Sequence, residues 1–141
     1  MIFGFGKRTK YGNKKVEYDG KKFDSKKERD RFIFLEAAQR DGLITDLERQ
    51  VRFELIPAIT EECEVQLKTK TVTRTKTVQR AITYTCDFMY YVPSKNMVVV
   101  EDVKSSPKQT AIDKSYVLKK KMMLALKGIK VKEVYKSQTD I

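Results

Sequence analysis

Two aspartates and a lysine carry the strongest chemical signal in the sequence. Asp87 stands in the run Ala81–Val92 (AITYTCDFMYYV) and Asp102 in Met97–Lys104 (MVVVEDVK), with Pro93-Ser94-Lys95-Asn96 between them. Both runs are apolar at odd and even positions, the pattern of central strands covered on two faces. A symmetric loop sets Val92 against Met97, Asp87 against Asp102, and Lys104 against Thr85 on the same face. Residues directly opposed in an antiparallel pair have Cα atoms ~4.5–5.5 Å apart, so two carboxylates are held together. In an apolar sheet they repel and are desolvated, and without a cation one is pushed toward protonation. A hard divalent ion removes that penalty. Mg²⁺ takes one or two protein carboxylates, keeps several waters and leaves positions for phosphate oxygens; Mn²⁺ is expected to substitute. Lys104, two residues along the same face, suits orienting or deprotonating an attacking water, or steadying charge on a phosphoryl group. Asp…Asp-x-Lys on a hairpin therefore points to metal-assisted phosphodiester hydrolysis. The D-x-K tripeptide alone reads as a surface pair at a strand end, but Asp87, between Cys86 and Phe88, decides against that, since acids are rarely put there without a partner. Glu101 has the opposite parity, and a structural pairing with a helix lysine is expected for it.

The elements that must position these residues are legible in outline. Val16–Phe23 reads as a small hairpin around Asp19-Gly20, which accepts the positive φ angles of a type I′ turn. Ser25 is a good N-cap with Glu28 three residues on, and Phe32, Leu35 and Ala38 recur at helical spacing before Gly42, which predicts a helix over 26–41. On this local evidence Glu28 completes a capping box; turning toward a metal is its second reading. Arg49–Ile56 alternates as a half-buried strand that Pro57 stops. Residues 66–80 alternate Thr with Lys or Arg and read as an extended basic ribbon, with a reversal near 72–75. Thr110 is expected to cap a second helix over 111–127, with Asp113 at its capping-box position and Gly128 as its stop, and 129–134 closes the domain as a last strand. The order is helix, three or four antiparallel strands, helix, strand: an α/β sandwich.

Composition limits the chemistry further. The chain has 141 residues, 30 Lys plus Arg against 19 Asp plus Glu, a net charge of +11 and no histidine. That excludes histidine-based metal sites, Ser-His-Asp and Cys-His nucleophile systems, and nucleases with a histidine base. Cys63 and Cys86 form no CxxC motif, and Cys86 reads as a small buried hydrophobe. No run reaches membrane-spanning length and the first residues lack a signal-peptide core, so a cytoplasmic protein, in a bacterial host cell if phage-encoded, and no membrane partner are expected. The charge favours DNA as partner. Residues 1–15 read as a basic arm and 16–141 as one domain. Lys7, Arg8, Lys10, Lys14 and Lys15 of the arm, Lys68, Lys70, Arg74, Lys76 and Arg80 of the ribbon, and Lys119 of the second helix are the candidate phosphate contacts, which bind without reading bases.

Several segments together resemble a known group. Asp87 followed by Asp102-x-Lys104, after a helix bearing Glu28, is similar to the PD-(D/E)XK nuclease superfamily. More closely, Phe23-Asp24-Ser25-Lys26-Lys27-Glu28, Gln50, Tyr84-Thr85-Cys86-Asp87-Phe88, Val100–Lys104 and the helix with Thr110, Tyr116, Lys119 and Lys121 resemble phage and prophage endonuclease-like proteins related to Holliday-junction resolvases. The likeness covers most of residues 16–134, with Cys86 where the superfamily pattern has proline. It implies a restriction-endonuclease-like αβββαβ core, a mixed central sheet flanked by helices. It also implies Asp87 and Asp102 as Mg²⁺ ligands, Glu28 as an additional ligand, Lys104 as the catalytic lysine and Gln50 near the scissile phosphate. The expected activity is a metal-dependent DNA endonuclease selective for branched DNA in recombination. A homodimer fits, since cutting both strands of a junction needs two active sites. The alternatives are a nuclease on linear or single-stranded DNA and a basic DNA-binding module without turnover.

Overall fold

The computed structural model describes residues 15–135 and 141. The chain opens with a hairpin of β1 (Val16–Tyr18) and β2 (Lys21–Phe23), turned by Asp19 at φ 50° and Gly20 at φ 73°. The helix α1 (Lys26–Arg40) follows; the Ser25 hydroxyl accepts the Glu28 amide at 3.2 Å, and Gly42, at φ 79°, takes the left-handed turn beyond its end. Next come β3 (Thr45–Arg49), β4 (Arg52–Ile56), β5 (Ile59–Gln66), β6 (Thr71–Gln79), β7 (Ile82–Thr85) and β8 (Phe88–Val92). A 3₁₀ turn at Pro93–Lys95, with Asn96 left-handed at φ 47°, leads into β9 (Met97–Val103). The helices α2 (Pro107–Ile112) and α3 (Lys114–Lys127) and the strand β10 (Lys132–Val134) complete a mixed α/β domain with three α-helices and several small sheets among the described residues.

The largest sheet has the order β10-β9-β8-β3, with β9 and β10 parallel and the other pairs antiparallel. Its faces are covered differently. Phe32, Leu35 and Ala38 of α1 pack with Phe23, Ile44, Phe88, Tyr90 and Val92, and Tyr116 and Met123 of α3 pack with Leu55, Tyr84, Cys86, Val100 and Val131. Even and odd residues of β8 and β9 thus both meet apolar partners, which is why these strands lack polar alternation. The register runs from Val92 against Met97 to Phe88 against Glu101, as a symmetric Pro93–Asn96 loop requires.

Elsewhere the structure departs from the sequence expectations. The run 81–92 is two strands, broken at Cys86-Asp87, so Thr85 pairs with Arg52 rather than with Lys104. The expected strand 49–56 is likewise broken at Gln50, and β3 precedes it; a register shift and Asp46 at φ 57° interrupt its alternation and hide it. The ribbon reverses at 67–70, not 72–75, where the Leu67 amide donates to the Lys70 carbonyl at 2.8 Å. This places Glu61 opposite Lys76 and Val65 opposite Val72, pairings that oppose unlike charges and bury apolar contacts, which a turn at 72–75 would forgo. The second helix is two: Ser106 caps α2, Thr110 lies inside it, and Asp113 caps α3 by accepting the Tyr116 amide at 3.2 Å. Among the described residues no helix is long and apolar enough to cross a membrane.

Glu101, fully buried, faces α1. Its partner there is an arginine and not a lysine: Arg31 Nε donates to Oε2 at 3.0 Å, the Arg31 guanidinium also bonds Oε1, and the Tyr90 hydroxyl donates to Oε1 at 2.7 Å. Lys132 Nζ on β10 lies 3.8 Å from the same oxygen. Burial and the Glu101 charge beside it hold the Tyr90 phenol well above its ordinary range. Removing one partner from a buried pair leaves an uncompensated charge, which typically costs about 3–5 kcal/mol. Arg31→Met is therefore expected to lower stability by about that amount in urea unfolding, whereas the surface change Arg29→Met costs well under 1 kcal/mol.

Candidate functional site

Two backbone breaks build the site. The pairs β3/β8 and β4/β7 are continuous in sequence but belong to different sheets, and both chains bend where they cross. At the bend the Gln50 amide donates to the Asp87 carbonyl at 3.1 Å, the Cys86 amide to the Val51 carbonyl at 3.0 Å, and the Asp87 amide to the Glu101 carbonyl at 3.1 Å. Gln50 sits at φ 52°, a region that costs a non-glycine residue of order 1–3 kcal/mol and persists only where the surroundings impose it. From that position its side-chain amide donates to Glu28 Oε1 at 3.2 Å. Asp87, released from the ladder, accepts the Val103 amide on Oδ2 at 2.7 Å.

Asp102 is 7% exposed and faces the α3 side of the sheet. The Tyr84 hydroxyl donates to its Oδ2 at 2.6 Å, and Lys104 Nζ lies 3.4 Å from its Oδ1. The same ammonium sits 3.7 Å from the centre of the Tyr116 ring, a cation–π contact that fixes the far side of Lys104. Burial first, then the charge of Asp102, then that of Glu28 push the Asp87 carboxyl up to about 8, against the Val103 amide that favours its ionised form. The Asp102 carboxyl, acting through its charge and through hydrogen bonding, favours the protonated form of Asp87. The Glu28 carboxyl is also raised, by burial and by Asp24, with Asp102 adding to it and Arg49 and the Asp24 backbone opposing it. Burial and Asp102 lift the Tyr84 and Tyr116 phenols far above their ordinary range, so both are donors at any working pH. Burial lifts the Cys86 thiol to about 11, and this cysteine is packing.

Glu28, Gln50, Asp87, Asp102 and Lys104 are thus brought to one place from α1, the two bends and the end of β9. The Glu28 amide meets the Ser25 hydroxyl, while its carboxylate meets Gln50 and lies near enough to the aspartates to feel their charge. Of the basic candidates, Lys15 is exposed before β1, and Lys68, Lys70, Arg74, Lys76 and Arg80 are exposed on or beside the β5/β6 hairpin, whose strands pair with each other and not with the main sheet. Lys119 is half-buried on α3, and Lys7, Arg8, Lys10 and Lys14 lie outside the described residues. The Tyr84 hydroxyl and the Tyr116 ring are site contacts that are not among the candidate site residues, although both tyrosines lie in segments that carry the resemblance.

Among the described residues no three His, Cys, Asp or Glu side chains are gathered closely enough to hold an ion. The two aspartates nevertheless suit a hard cation, since Mg²⁺ uses one or two carboxylates and fills the rest of its shell with water and phosphate. A proton retained on Asp87 near neutrality marks a place where positive charge is wanted. Because the folded value lies above the unfolded one, the proton stabilises the fold fully below about pH 4, and that contribution is lost as pH rises through the folded value of about 8. The metal-free protein is therefore expected to lose stability over this window. Asp87→Asn should flatten the slope and raise stability at the alkaline end by about 1–3 kcal/mol in urea unfolding at stepped pH, and Mg²⁺ should raise the wild-type melting temperature more at the alkaline end than at the acid end.

The model of a family described as a protein of unknown function, DUF1064, matches residues 8–139. No curated protein and no solved structure matches the chain. The match takes in both bends, the paired aspartates and the whole of the main sheet, and the chain belongs to the DUF1064 family.

Proposed function

We propose that this chain is a Mg²⁺-dependent DNA endonuclease of the PD-(D/E)XK type, acting on branched DNA as a homodimer. The observation that carries the reading is the convergence of Asp87 and Asp102, with Lys104 Nζ 3.4 Å from Asp102. Further support comes from the order α1, β3, β8, β9, α3, β10, which is compatible with an αβββαβ core, and from the net charge of +11. Asp87 and Asp102 would hold the ion, with Glu28 as the neighbouring carboxylate. A bound Mg²⁺ would supply charge for the phosphate and acidify a water. The chain's own groups have distinct tasks. Tyr84, donating to Oδ2, fixes the orientation of the Asp102 carboxylate. Lys104, held between Asp102 and the Tyr116 ring, presents an N–H to the phosphoryl oxygen or orients the water. Gln50 keeps Glu28 turned toward the aspartates. The exposed lysines and arginines of the β5/β6 hairpin would grip phosphates away from the cut. A two-fold dimer supplies the second active site that a junction requires.

The test is incubation with labelled four-way junction, linear duplex and single strand, with Mg²⁺, with Mn²⁺ and with EDTA. Cleavage should need the metal and favour the junction, and Asp102→Asn and Lys104→Ala should each slow it by at least about a hundredfold. Faster cutting of linear or single-stranded DNA would replace the substrate, and salt-sensitive binding with no cleavage in either metal would make the chain a non-catalytic DNA-binding module. In binding titrations over salt, Arg74→Ala and Lys76→Ala should each lower the slope of log K against log salt by about 0.9.

A further inference from the structure

On the α3 side of the sheet, beyond Lys104, lies a pocket that the hydrolytic reading leaves unused. The helices α2 and α3 and the strand β10 border an open pocket of about 380 Å³, whose apolar lining is Ala111, Val117, Leu124 and Val131. Tyr116 is the wall it shares with the carboxylate site. This residue is 6% exposed, carries Lys104 on its ring, and its buried hydroxyl has no hydrogen-bond partner among the described residues. At the polar end Lys120 and the Tyr135 hydroxyl both bond Glu133, which stands beside Asp102 in the parallel register of β9 and β10. Lys121 and Lys130 lie exposed at the rim.

We propose that this pocket is a nucleobase subsite, taking the base of a nucleotide next to the phosphate held at Asp102 and Lys104. Its location beside the cut rests on the function proposed above; its chemistry does not. Two features suit a base. The apolar lining suits the faces of a ring, and the rim lysines suit the phosphate attached to it. A purely aliphatic ligand would leave the rim lysines unmatched, and a lone anion would leave the apolar lining uncovered. A base can enter only when unstacked, so the subsite selects nucleotides at a branch point or in a single strand over those in uninterrupted duplex.

The test needs no cleavage. Methyl NMR of the full chain without divalent metal is followed during titration with dAMP and, separately, with deoxyribose 5-phosphate. The expected result is that dAMP shifts the methyls of Ala111, Val117, Leu124 and Val131 and that deoxyribose 5-phosphate does not. Ala111→Trp, which fills the pocket from an exposed position, should weaken the dAMP response at least about tenfold, the scale of one lost base stack, with an unchanged melting temperature. Leu124→Glu is the second blocking variant, at another exposed position. Absence of dAMP shifts, equal shifts from the sugar phosphate, or a response untouched by both variants would overturn the subsite. Junction cleavage without these shifts would sink the subsite alone, whereas these shifts in a chain that cuts no DNA would sink the nuclease reading alone.

Discussion

Two carboxyl groups forced together at a break in a strand are the constraint on which the site depends. Backbone pairing, not side-chain attraction, holds Asp87 to Asp102: the Asp87 amide binds the Glu101 carbonyl, and the Val103 amide binds the Asp87 carboxyl. The pair cannot relax apart without losing those bonds. Its repulsion is instead relieved by a proton on Asp87, the Tyr84 hydroxyl and the Lys104 ammonium on Asp102. None of these neutralises the whole cluster, with Glu28 adding a further charge, and the remaining demand for a cation is the basis of the proposed metal chemistry.

The two faces of β9 divide the work. Consecutive residues Glu101 and Asp102 are both buried, yet one meets Arg31, Tyr90 and Lys132 while the other meets Tyr84 and Lys104. The first network, saturated with donors, ties α1 to the sheet. The second sets the Tyr84 hydroxyl and the Lys104 ammonium on Asp102, beside the Asp87 carboxyl. The helix α1 serves both, since Arg31 and Glu28 are three residues apart, and docking Arg31 on Glu101 fixes where Glu28 meets Gln50. Fold stability and site geometry are thus linked through one helix.

Much of this was legible in the sequence. Asp-Gly set the first turn, Ser25 the start of α1, and the Pro93–Asn96 loop the register that aligns the aspartates, because each is decided by contacts a few residues apart. Parity alone separated Glu101 from Asp102. What stayed hidden depends on distant partners. Nothing in Tyr84-Thr85-Cys86-Asp87-Phe88 marks a break, because β7 and β8 are apolar on both parities and the bend is imposed by Gln50 and Val51 across the sheet. Threonine-lysine alternation runs through the β5/β6 turn without glycine or proline, so only the cross-strand pairing locates it. The partner of Glu101 was expected among helix lysines, and only packing shows that Arg31 points inward.

The central claim is that Asp87, crowded against Asp102, holds a proton that a divalent cation displaces. Carboxyl ¹³C NMR of the Asp87 side chain, titrated without metal and again with Mg²⁺, tests it most directly. Asp87 is expected to ionise near neutrality or above without metal, and well below that once Mg²⁺ is present. An Asp87 titration in the ordinary carboxylate range, unmoved by Mg²⁺, would contradict it.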